Sequence, residues 1–229
     1  HGIIIEHDNL IDKDNPHVWM SPLNAINMTG RIFNAIHAAE TNTSLQGQYV
    51  ANKDAFIIDL NETAILLQNT TLLYSRLEDY NVTVHHPAFK YFLDILGVQR
   101  IASIEEGGAH GEPDPEHLAE VINAMKSNNT KVIINQPQLD DADVKEIAKE
   151  TGAHVADLTP LLGIKGIHTY IDMIVFDLIQ LLNPVDPFTG GGKSVPGYSV
   201  FVMAGCLFLT AIVTWFTRFR KREKAVKAA

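Results

Sequence analysis

The chain has 229 residues, 46% of them apolar, and a formal net charge of −9. Six basic residues after Thr217 are opposed only by Glu223, so the rest of the chain carries −14 and lacks the basic surface that nucleic-acid binding needs. The only cysteine, Cys206, excludes an intrachain disulfide, and the fold must rest on its core.

Residues 1–16 are polar and carry Glu6, His7, Asp8, Asp12 and Asp14, which reads as an exposed acidic loop. Ser21-Pro22 supplies a capping hydroxyl and a first-turn proline, so a helix is expected to start there, with Ile26, Ile32, Phe33 and Ile36 at helical spacing. A second helix opens at Thr43 or Ser44 and runs to about Asp79, with Tyr49, Ala55, Leu60, Ala64, Leu67 and Leu73 as its stripe. Some thirty residues of helix reach roughly 45 Å, a length suited to linking two lobes.

From Asn81 the pattern alternates. Strands are expected at 82–85, 99–104, 131–135 and 154–158, and helices at 87–96, 114–127, 142–151 and 168–182. Such alternation indicates a parallel α/β sheet, whose ligands collect at the carboxyl ends of strands. His85, His86 and Asp157 fall at such ends. Residues 184–197, with three consecutive glycines, read as a tether.

Residues 198–216 contain no charged side chain and would span roughly 28 Å as a helix, close to the ~30 Å of a hydrocarbon core. Tyr198, Trp215 and Phe216 stand near its ends and the basic cluster follows, so a single-pass anchor is expected, with the C-terminus cytoplasmic and the preceding residues outside. Six Asn-x-Ser/Thr triplets, at Asn27, Asn42, Asn61, Asn69, Asn81 and Asn128, all lie on that outer side, where glycosylation is plausible. The start at His1 without a leader reads as a fragment or processed chain.

Two runs carry the chemistry: Asn15-Pro16-His17-Val18-Trp19 and His85-His86-Pro87-Ala88-Phe89-Lys90-Tyr91-Phe92. Each sets an imidazole at a Pro-marked helix entrance, where it is held rigidly and is free to coordinate a metal through one nitrogen. In that order the two runs resemble the metal-binding solute receptors of ABC importers, over about residues 9–183. Asn15 stands where that family carries Asp.

The resemblance implies an α/β fold of two lobes with parallel sheets joined by one long backbone helix. Residues 1–42 would be the remnant of a largely missing first lobe, 43–79 the linking helix and 80–183 the second lobe. After them come the 184–197 linker, the 198–217 membrane helix and the 218–229 basic tail. It further implies His17 and His86 as metal ligands, His86 rather than His85 matching the family position. Asp157 is the carboxylate ligand under one alignment; under another Thr159 takes its place and the ligand is lost. The transported ion would be zinc or manganese, and the partners an ABC permease and its ATPase. The family's first ligand has no counterpart, and its His/acid-rich loop is too poorly matched here to press. His110 is taken as solvent-facing, and Glu116, His117, His37 and His168 as helix-surface residues.

No His-Glu-x-x-His, Gly-x-Ser-x-Gly or phosphate-loop motif occurs, so no enzyme is expected. A tethered adhesion ectodomain with a vestigial metal site is the alternative.

Overall fold

A computed structural model of the chain describes residues 3, 5–73, 80–105 and 113–188. The chain divides into two compact units, His1–Gly190 and Gly191–Ala229, and only the first contains described residues. The expected membrane span, the basic tail, most of the tether and His110 therefore lie outside them. Among the described residues no helix is long and apolar enough to cross a membrane.

Four strands, β3 (Asn81–Val84), β4 (Gln99–Ser103), β5 (Val132–Asn135) and β6 (His154–Asp157), form one parallel sheet in the order β4-β3-β5-β6. Val82, Val84, Val132, Ile133 and Ile134 are fully buried, as expected of a parallel sheet covered on both faces. The connection from β3 leads to one side of the sheet and that from β5 to the other. The crevice at their carboxyl ends is therefore the switch point where ligands of such sheets bind. Expected strand bounds agree with these to within one residue.

Local chemistry explains the helices. In α1 (Pro22–Ala39) the Ser21 hydroxyl accepts from Asn24 N–H (3.4 Å) behind Pro22. Helix α2 (Thr43–Leu73) is capped by Asn42, whose Oδ1 accepts from Ser44 N–H (2.9 Å). Then come α3 (Lys90–Leu96), α4 (Pro115–Ser127), α5 (Ala142–Thr151) and α6 (Tyr170–Leu182), with Asp114 and Thr169 capping the first turns of α4 and α6. The chain leaves α3 through Gly97 at φ 69°, a conformation that glycine adopts without strain.

In α2, Leu60, Ala64 and Leu67 are buried, whereas Ala55 is exposed and Tyr49 half-buried. Ile32 and Ile36 on α1, and Ile58 and Ile65 on α2, stand about half exposed.

The amino-terminal residues keep Glu6, His7, Asp12 and Asp14 exposed, as expected, but are more than an acidic loop. They form a short antiparallel pair, β1 (His7–Asp8) with β2 (Lys13–Asp14), and Asp8 and Asn15 are fully buried. Arg100 at the start of β4 donates to both oxygens of Asp8 (2.7 and 2.9 Å). Lys90 donates to Glu6 (2.7 Å), and the Tyr91 hydroxyl donates to the Asn15 carbonyl (2.9 Å). The segment that carries the first motif is thereby fastened to the helix that follows the second.

Candidate metal centre

His86 is the second residue after the end of β3. The chain is anchored one residue earlier, where His85 N–H donates to the Ile134 carbonyl (2.8 Å), and Pro87 then turns it into α3. The His86 ring is buried, and its Nδ1 lies 2.5 Å from Oε2 of buried Glu105. Glu105 reaches this place because β4 is the parallel neighbour of β3: its backbone N–H donates to the His85 carbonyl (3.0 Å), continuing the ladder.

His17 opens a single 3-10 turn, Val18–Met20. Its Nδ1 lies 2.8 Å from Oδ1 of Asn15. The Asn15 amide is fixed on both sides: Oδ1 also accepts from His17 N–H (3.0 Å), while Nδ2 donates to Asp8 Oδ2 and to the Pro87 carbonyl (both 2.8 Å). Trp19 locks the same turn by donating its indole N–H to the Pro160 carbonyl (3.0 Å) and accepting at its own carbonyl from the Tyr170 hydroxyl (2.7 Å).

These supports set both tautomers. Asn15 Oδ1 and the Glu105 carboxylate are acceptors, so each ring carries its proton on Nδ1 and bears a lone pair on Nε2. The two rings stand at 89° with centroids 5.1 Å apart, and their Nε2 atoms face each other at 3.3 Å. Two lone pairs at that distance repel unless a cation or a shared proton lies between them. Two nitrogens bound at ~2.05 Å to one tetrahedral zinc are about 3.3 Å apart. Burial, reinforced by neighbouring His86, pushes the His17 imidazole down to about 4, so at neutral pH His17 carries no second proton of its own.

Asp157 ends β6 at the same end of the sheet, with its oxygens engaged elsewhere. Oδ1 accepts from Asn135 Nδ2 (2.9 Å) and Oδ2 from Lys165 Nζ (2.9 Å). His85 turns to the same group, its Nδ1 lying 3.3 Å from Asn135 Oδ1. Among the described residues no three or more His, Cys, Asp or Glu side chains stand together so as to hold a metal. Thr159 is buried and occupied, its hydroxyl donating to the Leu161 carbonyl (2.8 Å) and accepting from Gln138 (2.6 Å). His117 is half-buried, its Nε2 2.9 Å from the Ser103 carbonyl at the end of β4, so it is more than a surface residue. His168 and Glu116 are exposed.

The family described as zinc-uptake complex component A, periplasmic (ZnuA) matches residues 2–183. The chain belongs to this family. Its solute-binding proteins are metal carriers and not enzymes. The chain is 27% identical over 158 residues to the zinc-binding protein AdcA of Streptococcus pyogenes serotype M6, covering 69% of this chain and 29% of that protein. It is similar to a crystal structure of ZnuA, with TM-score 0.64 and 25% identity, covering 79% of this chain and 66% of that one. The fold is shared with a Cd-bound periplasmic metal-binding protein from candidatus liberibacter asiaticus, with TM-score 0.64 and 22% identity over 77% of this chain and 66% of that one. The chain thus spans under a third of the AdcA relative's length and about two thirds of the solved chains.

Against the ZnuA-family pattern, Glu105 is the residue that sequence reading passes over. It lies 19 residues from His86, and only its place at the carboxyl end of the neighbouring strand signals it. Asn15 likewise reads only as a departure from the family's Asp, yet it holds His17.

Proposed function

We propose that this chain captures a divalent transition-metal ion outside the cytoplasm and delivers it to an ABC importer. The observation that supports this is the pair of facing Nε2 lone pairs of His17 and His86, set at the edge length of a tetrahedral metal site. His17 and His86 are the two nitrogen ligands. Asp157 completes the set by exchanging Lys165 for the ion; that ion pair is partly exposed on both sides and holds the carboxylate weakly.

Two imidazoles favour zinc, and a carboxylate brings manganese within range. The matched relatives carry both hints, one named as zinc-binding and one neighbour solved with Mn bound. The ion is cargo, so the partners are a permease and its ATPase, and residues 198–216 tether the receptor to the membrane facing them.

Anomalous scattering at the zinc and manganese edges, from crystals grown with both ions, tests this reading. It expects a peak within about 2.3 Å of both Nε2 atoms. Absence of both metals from that point overturns it.

A further inference from the structure

Two buried hydroxyls make no hydrogen bond among the described residues. Thr83 in β3 and Thr130 before β5 are 0% and 1% exposed, and neither Oγ1 has a hydrogen-bond partner among the described residues. A valine would fill the same space without an unsatisfied polar atom, so packing gives no reason for threonine at either position. Both are the third residue of an Asn-x-Thr triplet, Asn81-Val82-Thr83 and Asn128-Asn129-Thr130. The other threonines at such positions in α2 are explained locally, since Thr63 and Thr71 donate to the carbonyls of Asp59 and Leu67 (2.8 and 3.3 Å).

The triplets are also too frequent for the composition. With 15 asparagines, and Ser or Thr at 22 of 229 positions, chance supplies about one or two where the chain has six.

We propose that Asn128 and Asn81 are N-glycosylation sites, the threonine hydroxyls being kept for the transferase and not for the fold. This rests on the reading that the domain faces outside the cytoplasm. The donor is a polyprenyl-diphosphate-linked oligosaccharide. A bond forms between Asn Nδ2 and the anomeric carbon, the bond from that carbon to the diphosphate oxygen breaks, the diphosphate leaves, and the amide gives up one proton.

The placement suits such a modification. Asn128 is exposed in the turn from α4 to β5, where Asn129 adopts φ 52°. Asn81 is half-buried at the start of β3, and Val82 pairs with Val132 at the start of β5. Both sites therefore lie at the amino ends of adjacent strands. The histidine pair lies at the carboxyl ends, about 13 Å away along a four-residue strand. Glycans there leave the path to His17 and His86 open.

The full chain isolated from its own cells is treated with peptide-N-glycosidase in H2(18)O, and its peptides are read by mass spectrometry. Both asparagines should return as (18)O-labelled aspartate, with a drop in apparent mass on gels. Unlabelled asparagine at either position overturns the proposal for that position. Thr130→Val should erase the label at Asn128, keep it at Asn81, and raise Tm by ~2–4 °C. A lower Tm would show that the hydroxyl serves the fold and would overturn the argument. Zinc titration before and after deglycosylation should give the same affinity, so a missing glycan and a missing metal site are read separately.

Discussion

The two histidines present the same nitrogen to the same point, but the regions behind them differ in charge. His86 is backed by a carboxylate, Glu105, on the neighbouring strand; His17 is backed by a neutral amide, Asn15, whose charge lies one bond further out in the Asp8–Arg100 pair. A carboxylate behind an imidazole raises its basicity and favours a cation on the far nitrogen. An amide orients the ring without adding charge. In the proposed metal site the sheet side would therefore be the stronger donor, and the amino-terminal side the geometric partner that closes it.

The largest expected effect is at His86. His86→Ala removes the ligand proposed as the stronger and takes the imidazole away from buried Glu105, so zinc affinity should fall by well over ~100-fold, beyond the ~10–100-fold typical of an outer partner. His85→Ala, whose ring faces Asn135, should change it less than ~3-fold, since no ligand is lost. Calorimetric titration of both variants decides, and equal losses would break the assignment of His86.

Glu105 comes next and separates charge from orientation. Glu105→Ala should weaken zinc binding by ~10–100-fold. Glu105→Gln can still accept from Nδ1–H and should recover the orientation without the charge, giving an intermediate affinity. If alanine and glutamine variants bind alike, charge is the whole effect; if glutamine matches the parent, the contrast between the two sides disappears.

How much of this was legible in the sequence follows from chain distance. Both histidines announce themselves through residues beside them, Pro16 and Trp19 or Pro87 and Phe89, because an entrance to a helix is a local event. The four strands were legible for a similar reason, as β-branched runs bounded by turn residues. Glu105 and Arg100 were not, because what they touch is set by parallel pairing between β3 and β4 and by the fold-back of residues 5–20. Asp8 looked like one acid among several in a polar segment; only a guanidinium 92 positions away makes it a buried one. The α1–α2 region shows the converse, a helix legible from its length whose exposed isoleucines no local pattern explains.

On the amino-terminal side, Asn15→Ala should cost about tenfold in zinc affinity, at the low end of the range for an outer partner, because the lost contact is neutral. It should also destabilise the fold, since Asp8 and the Pro87 carbonyl lose their shared donor. Asn15→Asp restores the acceptor and adds charge behind His17. It should tighten zinc binding if buried Asp8 can tolerate the second carboxylate, and a Tm below that of the alanine variant would show that it cannot.

The smallest effect is a pH dependence carried by His17, the amide-backed ring. His17 is held at about 4 in the folded chain against an ordinary 6.5, first by burial and then by neighbouring His86. Between those two values the unfolded chain binds more protons than the folded one, so this group's contribution to stability is full above pH 6.5 and is lost as pH falls towards 4. Solvent access to the half-buried ring screens part of that loss. His17→Gln removes the titrating group, so with chelator present the variant should lose less Tm than the parent between pH 7.5 and 4.5. A difference of roughly 2–4 °C is expected for about 1 kcal/mol in a chain of this size. Asp8 acts in the same direction at still lower pH, because burial, which would raise its carboxyl, is outweighed by Arg100 and Asn15; it is common to both proteins and cancels. Parallel Tm curves would mean that His17 meets protons as freely in the fold as in water, and that burial beside His86 does not keep protons off the ring proposed to take the metal.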